Sequence, residues 1–207
     1  GLVGSEMCIR DRASRPFDTR REGFIPAHGG AGILFESSSS ALERKAHVYG
    51  ELLGAELSSD GNHLPQPSKD GQIRALKRLL QKIDLRPQDV QYINAHATST
   101  PQGDLVEMEA LSEVFGEHAQ NLKINAPKSM LGHTCWSSAI VETVTSFLQM
   151  RDSQLYPSIN VENLDPAIPV PIVTEHIQNF KFDTFIKNSF GFGGLNCVAA
   201  YKKWSPK

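Results

Sequence analysis

A histidine in the run Asn94-Ala95-His96-Ala97-Thr98-Ser99-Thr100-Pro101-Gln102-Gly103-Asp104 stands where an apolar stretch, residues 90–93, gives way to a helical pattern over residues 105–115. The ends of strands leading into helices are where α/β proteins bind ligands. A histidine there can hold a ligand carbonyl or exchange a proton, and it can equally be structural. Thr98 and Thr100 can cap the helix or hydrogen-bond a polar ligand. Asp104 fits the helix N-cap. A second histidine, His133, follows in Lys128-Ser129-Met130-Leu131-Gly132-His133, just ahead of an apolar helical stretch. Gly132 permits a backbone turn that points His133 inward. Lys128 beside an apolar helix needs a counter-ion, and Glu142 is in reach one helix later. Such a pair either only orders the loop or belongs to a charge network that sets a histidine's tautomer and pKa. The third stretch is Asn188-Ser189-Phe190-Gly191-Phe192-Gly193-Gly194. Its glycines let backbone N–H groups approach a ligand, as in an oxyanion hole, or simply make a tight connection.

The elements that position these residues follow from periodicity. Residues 33–36 read as a short strand after the glycines at 29–32, and residues 41–47 as a short helix. Ser37 to Ser40 supply cap candidates, Ser40-Ala41-Leu42-Glu43 having capping-box spacing. Residues 48–57 read as a strand and 58–71 as a loop. Ile73, Leu76, Leu79, Leu80 and Ile83 give an amphipathic helix, and residues 90–95 a buried strand. Residues 122–126 form another short strand. Residues 139–150 are too uniformly apolar for a surface helix. Four prolines make residues 153–171 an extended connection, and residues 195–201 a last strand buried on both faces. Strands alternating with helices indicate an α/β layered fold with a mixed, largely parallel central sheet and no internal domain boundary.

Composition narrows the function classes. The chain has 207 residues, a net charge of -2 and 40% hydrophobic content. That balance supplies no field for nucleic acid or an anionic membrane, and no apolar run approaches a spanning helix. Three cysteines are too few for a disulfide framework, which points to a reducing, cytoplasmic setting. Cys8 lies in the first dozen residues; Cys197, in an apolar strand, reads as a small buried hydrophobe. Cys135, two residues from His133, has no catalytic spacing, and no metal signature is present. His28, His63 and His118 read as loop and surface residues. Residues 1–12 (GLVGSEMCIRDR) have neither strand nor helix period and resemble translated sequencing-adapter read-through. They are set apart from a domain at 13–207, which on that reading continues a longer protein.

Together the three motifs resemble the β-ketoacyl-acyl carrier protein synthase family of the thiolase fold, over about residues 13–204. The matching residues are His96-Ala97-Thr98…Gly103-Asp104, Lys128-Ser129…Gly132-His133 and Asn188 to Gly194, in the family's order and spacing. Arg15-Pro16-Phe17-Asp18 and the glycines at 29–32 resemble the region just after the middle of such enzymes. The resemblance implies decarboxylative Claisen condensation of a malonyl-carrier protein with an acyl thioester, in fatty acid or polyketide biosynthesis. It implies that His96 and His133 are catalytic, with Lys128 orienting and tuning them. Glu142 is then the lysine's acidic companion, and Thr98, Thr100 and Asp104 support the loop. The N–H of Phe192 matches an oxyanion donor, and Phe190, Gly191, Phe192 and Gly193 form the hole and gate near the nucleophile. No residue here matches the nucleophilic cysteine, which such enzymes carry upstream. No cofactor is implied beyond the phosphopantetheine arm that arrives on the carrier protein. The implied partners are acyl carrier protein and a second synthase-like subunit, as homodimer or heterodimer.

Two departures stand out. Cys135-Trp136-Ser137-Ser138-Ala139 replaces a small, glycine-rich segment, and His28-Gly29-Gly30 replaces a Gly-Glu-Gly pattern. Both resemble divergent, polyketide-associated members. Some of those lack the cysteine and only decarboxylate malonyl-carrier protein; others are non-catalytic chain-length partners.

Overall fold

The computed structural model describes residues 14–61 and 66–205. Residues 1–12, with Cys8, and His63 lie outside them. The elements in chain order are α1 (Ser38–Glu43), β1 (Glu51–Ser59), α2 (Lys69–Lys82), β2 (Tyr92–Asn94), α3 (Pro101–Phe115), β3 (Lys123–Asn125), α4 (Lys128–Leu131), α5 (Ser138–Asp152), β4 (Gln154–Leu155), β5 (Ile177–Gln178), β6 (Thr184–Gly191) and β7 (Leu195–Lys202). Five strands make one mixed sheet in the order β1-β7-β6-β2-β3.

Connection length decides the pairing. β6 and β7 are joined by Phe192-Gly193-Gly194 and pair antiparallel, with Gly193 at φ 83 and Gly194 at φ 74. So short a link leaves no room for a crossover. β2 reaches β3 through α3, a helical crossover, and the two are parallel, as are β2 and β6. The parallel part of the sheet is thus β6-β2-β3, and its edge carries β7 and β1 antiparallel.

Strand alternation separates two cores. Ile93, Ile186 and Val198 face α2 and α3, meeting Leu76, Leu79, Met108, Leu111 and Phe115. Tyr92, Phe185 and Tyr201 face the other way, meeting Met150 and Phe147 of α5.

Several sequence expectations change. Residues 33–36 are not a strand: they run without a ladder partner, with Leu34 and Phe35 exposed. α1 stops at Glu43, and its cap is Ser37, whose Oγ accepts the Ser40 N–H, rather than Ser40 with Glu43. Strand β1 starts three residues late, and α2 begins inside the expected loop, where Ser68 caps it. β7 is buried on one face; Cys197 and Ala199, on the other, are only half-buried. The largest change concerns α5. Its buried side chains include Ser138, Glu142, Thr143, Ser146 and Gln149. Its apolar Ile140, Val141 and Val144 are only half-buried, and Ala139 and Leu148 are exposed. The polar face lies on the sheet because the sheet presents Asn94, Asn125 and the Tyr92 hydroxyl to it. The Asn94 amide donates to Ser146 Oγ (2.8 Å), and the Gln149 amide to Tyr92 Oη (3.2 Å).

Candidate active site

The loop leaving β2 is held from below by two carboxylates one turn apart on α3. Glu107, buried, accepts the N–H of His96 and the N–H of Ala97, each at 2.8 Å, and the Asn188 amide at 2.9 Å. Asp104 accepts the N–H of Ser99 (3.0 Å) and of Phe17 (2.9 Å). These bonds hold Ala97 at φ 20 and Ser99 at φ 70, conformations that ordinary side chains resist. Asp104 is therefore not the helix cap expected from its position. Thr100 is, its Oγ accepting the Gly103 N–H, and Thr98 Oγ lies 3.2 Å from Thr100 Oγ. Burial pushes the Asp104 carboxyl up to about 7, against the pull of the Phe17 N–H and Arg21.

His133 is delivered by α4 and the turn at Gly132, which has φ 67. A Cβ at Gly132 would stand 2.8 Å from Ala27 Cβ and 3.1 Å from the Ile25 carbonyl oxygen. The crowding arises because residues 25–27 are strapped alongside: His133 N–H donates to Ile25 O (2.7 Å), and Ala27 N–H to His133 O (2.9 Å). His133 Nδ1 accepts the N–H of Cys135 at 3.0 Å and lies 2.9 Å from Ser138 Oγ. An Nδ1 that accepts carries no proton, so the neutral ring has its proton on Nε2. Desolvation, reinforced by the Lys128 ammonium, lowers the His133 pKa to about 4. Desolvation, then Lys128, Lys187 and His133, lowers His96 well below the ordinary imidazole value. Both rings are thus neutral at pH 7.

The two rings meet edge to face, their centroids 5.7 Å apart. Phe190 packs on His96 at 5.7 Å, and Phe24 on His133 at 5.3 Å; Phe192 lies 6.4 Å from Phe24 and is 71% exposed. Phe190 therefore borders His96 directly, and Phe192, in the link to β7, reaches His133 only through Phe24.

Beneath the rings lies a buried charge cluster. Lys128 Nζ contacts Glu142 Oε1 at 2.7 Å and donates to the His96 carbonyl oxygen at 2.6 Å. Lys187 Nζ contacts Glu142 Oε2 at 2.6 Å and also donates to the carbonyls of Ala95 and Asn188. Burial pushes the Glu142 carboxyl up, but the two ammonium groups outweigh it and hold it below the usual range.

The structure thus brings together His96, His133, Lys128, Glu142, Phe190 and, through Phe24, Phe192, while Thr98 and Thr100 pair with each other at the start of α3. Sequence reasoning missed Glu107, Lys187 and Phe24. Lys187 carried a signal, a lone cation in the run Thr184-Phe185-Ile186-Lys187-Asn188; Glu107 and Phe24 carried none. Cys135 is exposed with its thiol at the His133 carbonyl, and Trp136 beside it is fully exposed. Cys197 is half-buried rather than buried, and burial raises its thiol pKa. His28 is exposed, and His118 Nε2 lies 3.0 Å from the Val90 carbonyl, both apart from the site. Among the described residues no group of three or more His, Cys, Asp or Glu side chains is placed to hold a metal ion, and no helix is long and apolar enough to cross a membrane.

The chain resembles known proteins over most of its length. A 3-oxoacyl-[acyl-carrier-protein] synthase 2 of Coxiella burnetii is 39% identical over 188 residues, covering 90% of this chain and 45% of that protein. Among solved structures, a type II PKS acyl-carrier protein in complex with its ketosynthase superposes with a TM-score of 0.89 at 32% identity, over 95% of this chain and 48% of that one. The ishigamide ketosynthase/chain length factor superposes with a TM-score of 0.89 at 29% identity, over 93% and 47%. The chain spans about half the length of the curated relatives it matches. Residues 49–162 match the family described as Beta-ketoacyl synthase, C-terminal domain, and the chain, thiolase-like in fold, belongs to the β-ketoacyl synthase family.

Proposed function

We propose that this chain forms the decarboxylating wall of a 3-oxoacyl-carrier protein synthase, an acyltransferase, as the C-terminal part of a longer enzyme that supplies the nucleophilic cysteine from upstream. The observation that carries the reading is the pair of neutral imidazoles, edge to face, above the buried Lys128–Glu142–Lys187 cluster.

The chemistry follows from what neutral rings do. The thioester carbonyl oxygen of a malonyl group accepts the Nε2–H of His133 and an N–H of His96. The bond between the α-carbon and the free carboxylate breaks, carbon dioxide leaves, and the electron pair collects as an enolate on that oxygen. Hydrogen-bond donors already in place stabilise that developing charge without reorganising. The enolate carbon then attacks the acyl thioester on the cysteine, and the thiolate departs. The Phe192 N–H serves the second oxyanion, and Phe190 and Phe192 gate access. Lys128, donating to the His96 carbonyl, orients the first histidine.

The partners in this reading are acyl carrier protein, whose phosphopantetheine arm brings the malonyl group, and a second synthase-like subunit. A carrier-protein complex and a ketosynthase/chain length factor among the structural neighbours support both. A chain alone would be inactive in condensation, since the described cysteines, Cys135 and Cys197, match no nucleophile. Two alternatives differ at the upstream residue: a malonyl-carrier decarboxylase without the cysteine, and a non-catalytic chain-length subunit. A purely structural subunit has no use for two neutral histidines over a tuned charge cluster.

The test supplies malonyl-carrier protein and an acyl-carrier protein to the full-length protein. A 3-oxoacyl thioester with equimolar carbon dioxide is expected. Carbon dioxide without condensation product would replace condensation by decarboxylation alone, and neither product would contradict the reading.

A further inference from the structure

The charge cluster beneath the histidines contains one cation more than it needs. Glu142 carries one negative charge, and Lys128 alone would balance it at 2.7 Å. Lys187 brings a second ammonium to the other carboxylate oxygen at 2.6 Å, and all three side chains are at most 3% exposed. Burying an ammonium is costly, and a well-packed apolar residue in a strand interior ordinarily serves stability as well. On this face of β6, Lys187 stands between Phe185, which packs against Tyr92 and Tyr201, and Ser189. The extra lysine therefore calls for a role besides packing.

We propose that Lys187 is a positioning residue for the histidine pair: it leaves the cluster around Glu142 one positive charge in excess, and that excess adds to burial in keeping His96 and His133 neutral hydrogen-bond donors, extending their neutral form to lower pH. The placement suits the role. Lys187 Nζ donates to the carbonyl of Ala95, the residue before His96, and to its own neighbour Asn188. Asn188, on the opposite face of β6, donates to Glu107, which holds the His96 N–H. One strand thus reaches the histidine loop from both sides.

The charged and titratable groups around Lys187 are few. They are Glu142 on α5, Lys128 on α4, Glu107 on α3, Tyr92 on β2, Cys197 on β7, and His96 and His133 themselves. Burial keeps Tyr92 and Cys197 in their neutral forms at pH 7. Among the described residues, the Glu107 carboxyl group also faces the cluster, and it is engaged by the N–H groups of His96 and Ala97. Desolvation lowers the Lys187 pKa to about 8, with Glu142 resisting the fall, so the charge is present at pH 7. The same two ammonium groups depress both histidines after desolvation.

The titration part of this inference stands without the proposed reaction; its consequence for rate rests on it. The experiment follows the imidazole resonances of His96 and His133 by NMR against pH in the full chain, with Lys187→Met, Lys187→Gln and Lys187→Arg. Methionine and glutamine remove the charge, glutamine keeping the capacity to donate to the Ala95 carbonyl. Both should raise the histidine midpoints by on the order of one pH unit. Arginine, permanently charged, should leave them near the wild-type values. In the full-length protein the acid limb of malonyl decarboxylation should move up by the same amount in K187M and K187Q. Wild-type midpoints in folded Lys187→Gln would overturn the proposal. So would loss of fold in that variant, which would assign Lys187 to stability. A wild-type protein that releases no carbon dioxide would defeat the proposed function while leaving the titrations readable.

Discussion

Glu107 does at the residue scale what neither histidine can do for itself. Three donors converge on its carboxylate, two of them backbone N–H groups of a loop carrying a positive φ at Ala97. Glu107→Ala would leave three buried donors without their acceptor, each worth roughly 1–3 kcal/mol when orphaned. Relaxation recovers part of that, so a loss of about 3–5 kcal/mol is expected, read as a fall in urea midpoint with unchanged m. A change below about 1 kcal/mol would mean that the loop holds its shape without the carboxylate. The sequence made His96, His133, Lys128 and Glu142 legible through the three motifs that resemble the family, since each of them alone also had a structural use. Glu107 was hidden, since a mid-helix glutamate usually faces solvent. Phe24 was hidden by distance: it packs on His133 from more than a hundred residues away, through a strap that no local pattern announces.

Among the elements, the turn between α4 and α5 fixes the geometry most tightly. Gly132 was legible as a conformational requirement, and its φ of 67 agrees. What the sequence did not disclose is the close approach of residues 25–27. Gly132→Ala meets both penalties: a backbone at φ 67, ψ -172, a region essentially confined to glycine and costing about 1–3 kcal/mol for other residues, and a Cβ pressed on Ala27 and the Ile25 carbonyl. The variant should lose about 1–3 kcal/mol of stability and weaken the edge contact between the histidine rings. The NMR shifts of both rings report the second effect, and wild-type shifts at wild-type stability would contradict it. Most helices and strands were legible to within a few residues because their apolar spacing is regular. α5 was misread for a physical reason: its pattern counts apolar residues, yet its sheet-facing side is the polar one, drawn by Asn94, Asn125 and Tyr92. The Thr100 cap was misread similarly. Asp104 is a good capping residue by type, but Phe17 and Ser99 occupy its oxygens.

At the scale of the whole molecule, the layered α/β class and the mixed sheet were legible from alternation of elements; the antiparallel pairing of β1, β7 and β6 was not, because the glycine turn read equally as a loop near a ligand. A surface remains that one half of a layered fold does not cover. Ile140, Val141, Val144 and Leu148 on α5 stand partly open beside a fully exposed Trp136. Contiguous apolar surface of this kind marks an interface, consistent with a chain that spans about half of its curated relatives. The decisive measurement is therefore made on the full-length protein: release of carbon dioxide from malonyl-carrier protein by the wild type and by His133→Ala. Loss of one preorganised oxyanion donor should slow release about 10²–10³-fold, with the fold retained. Unchanged release from the alanine variant would contradict the account.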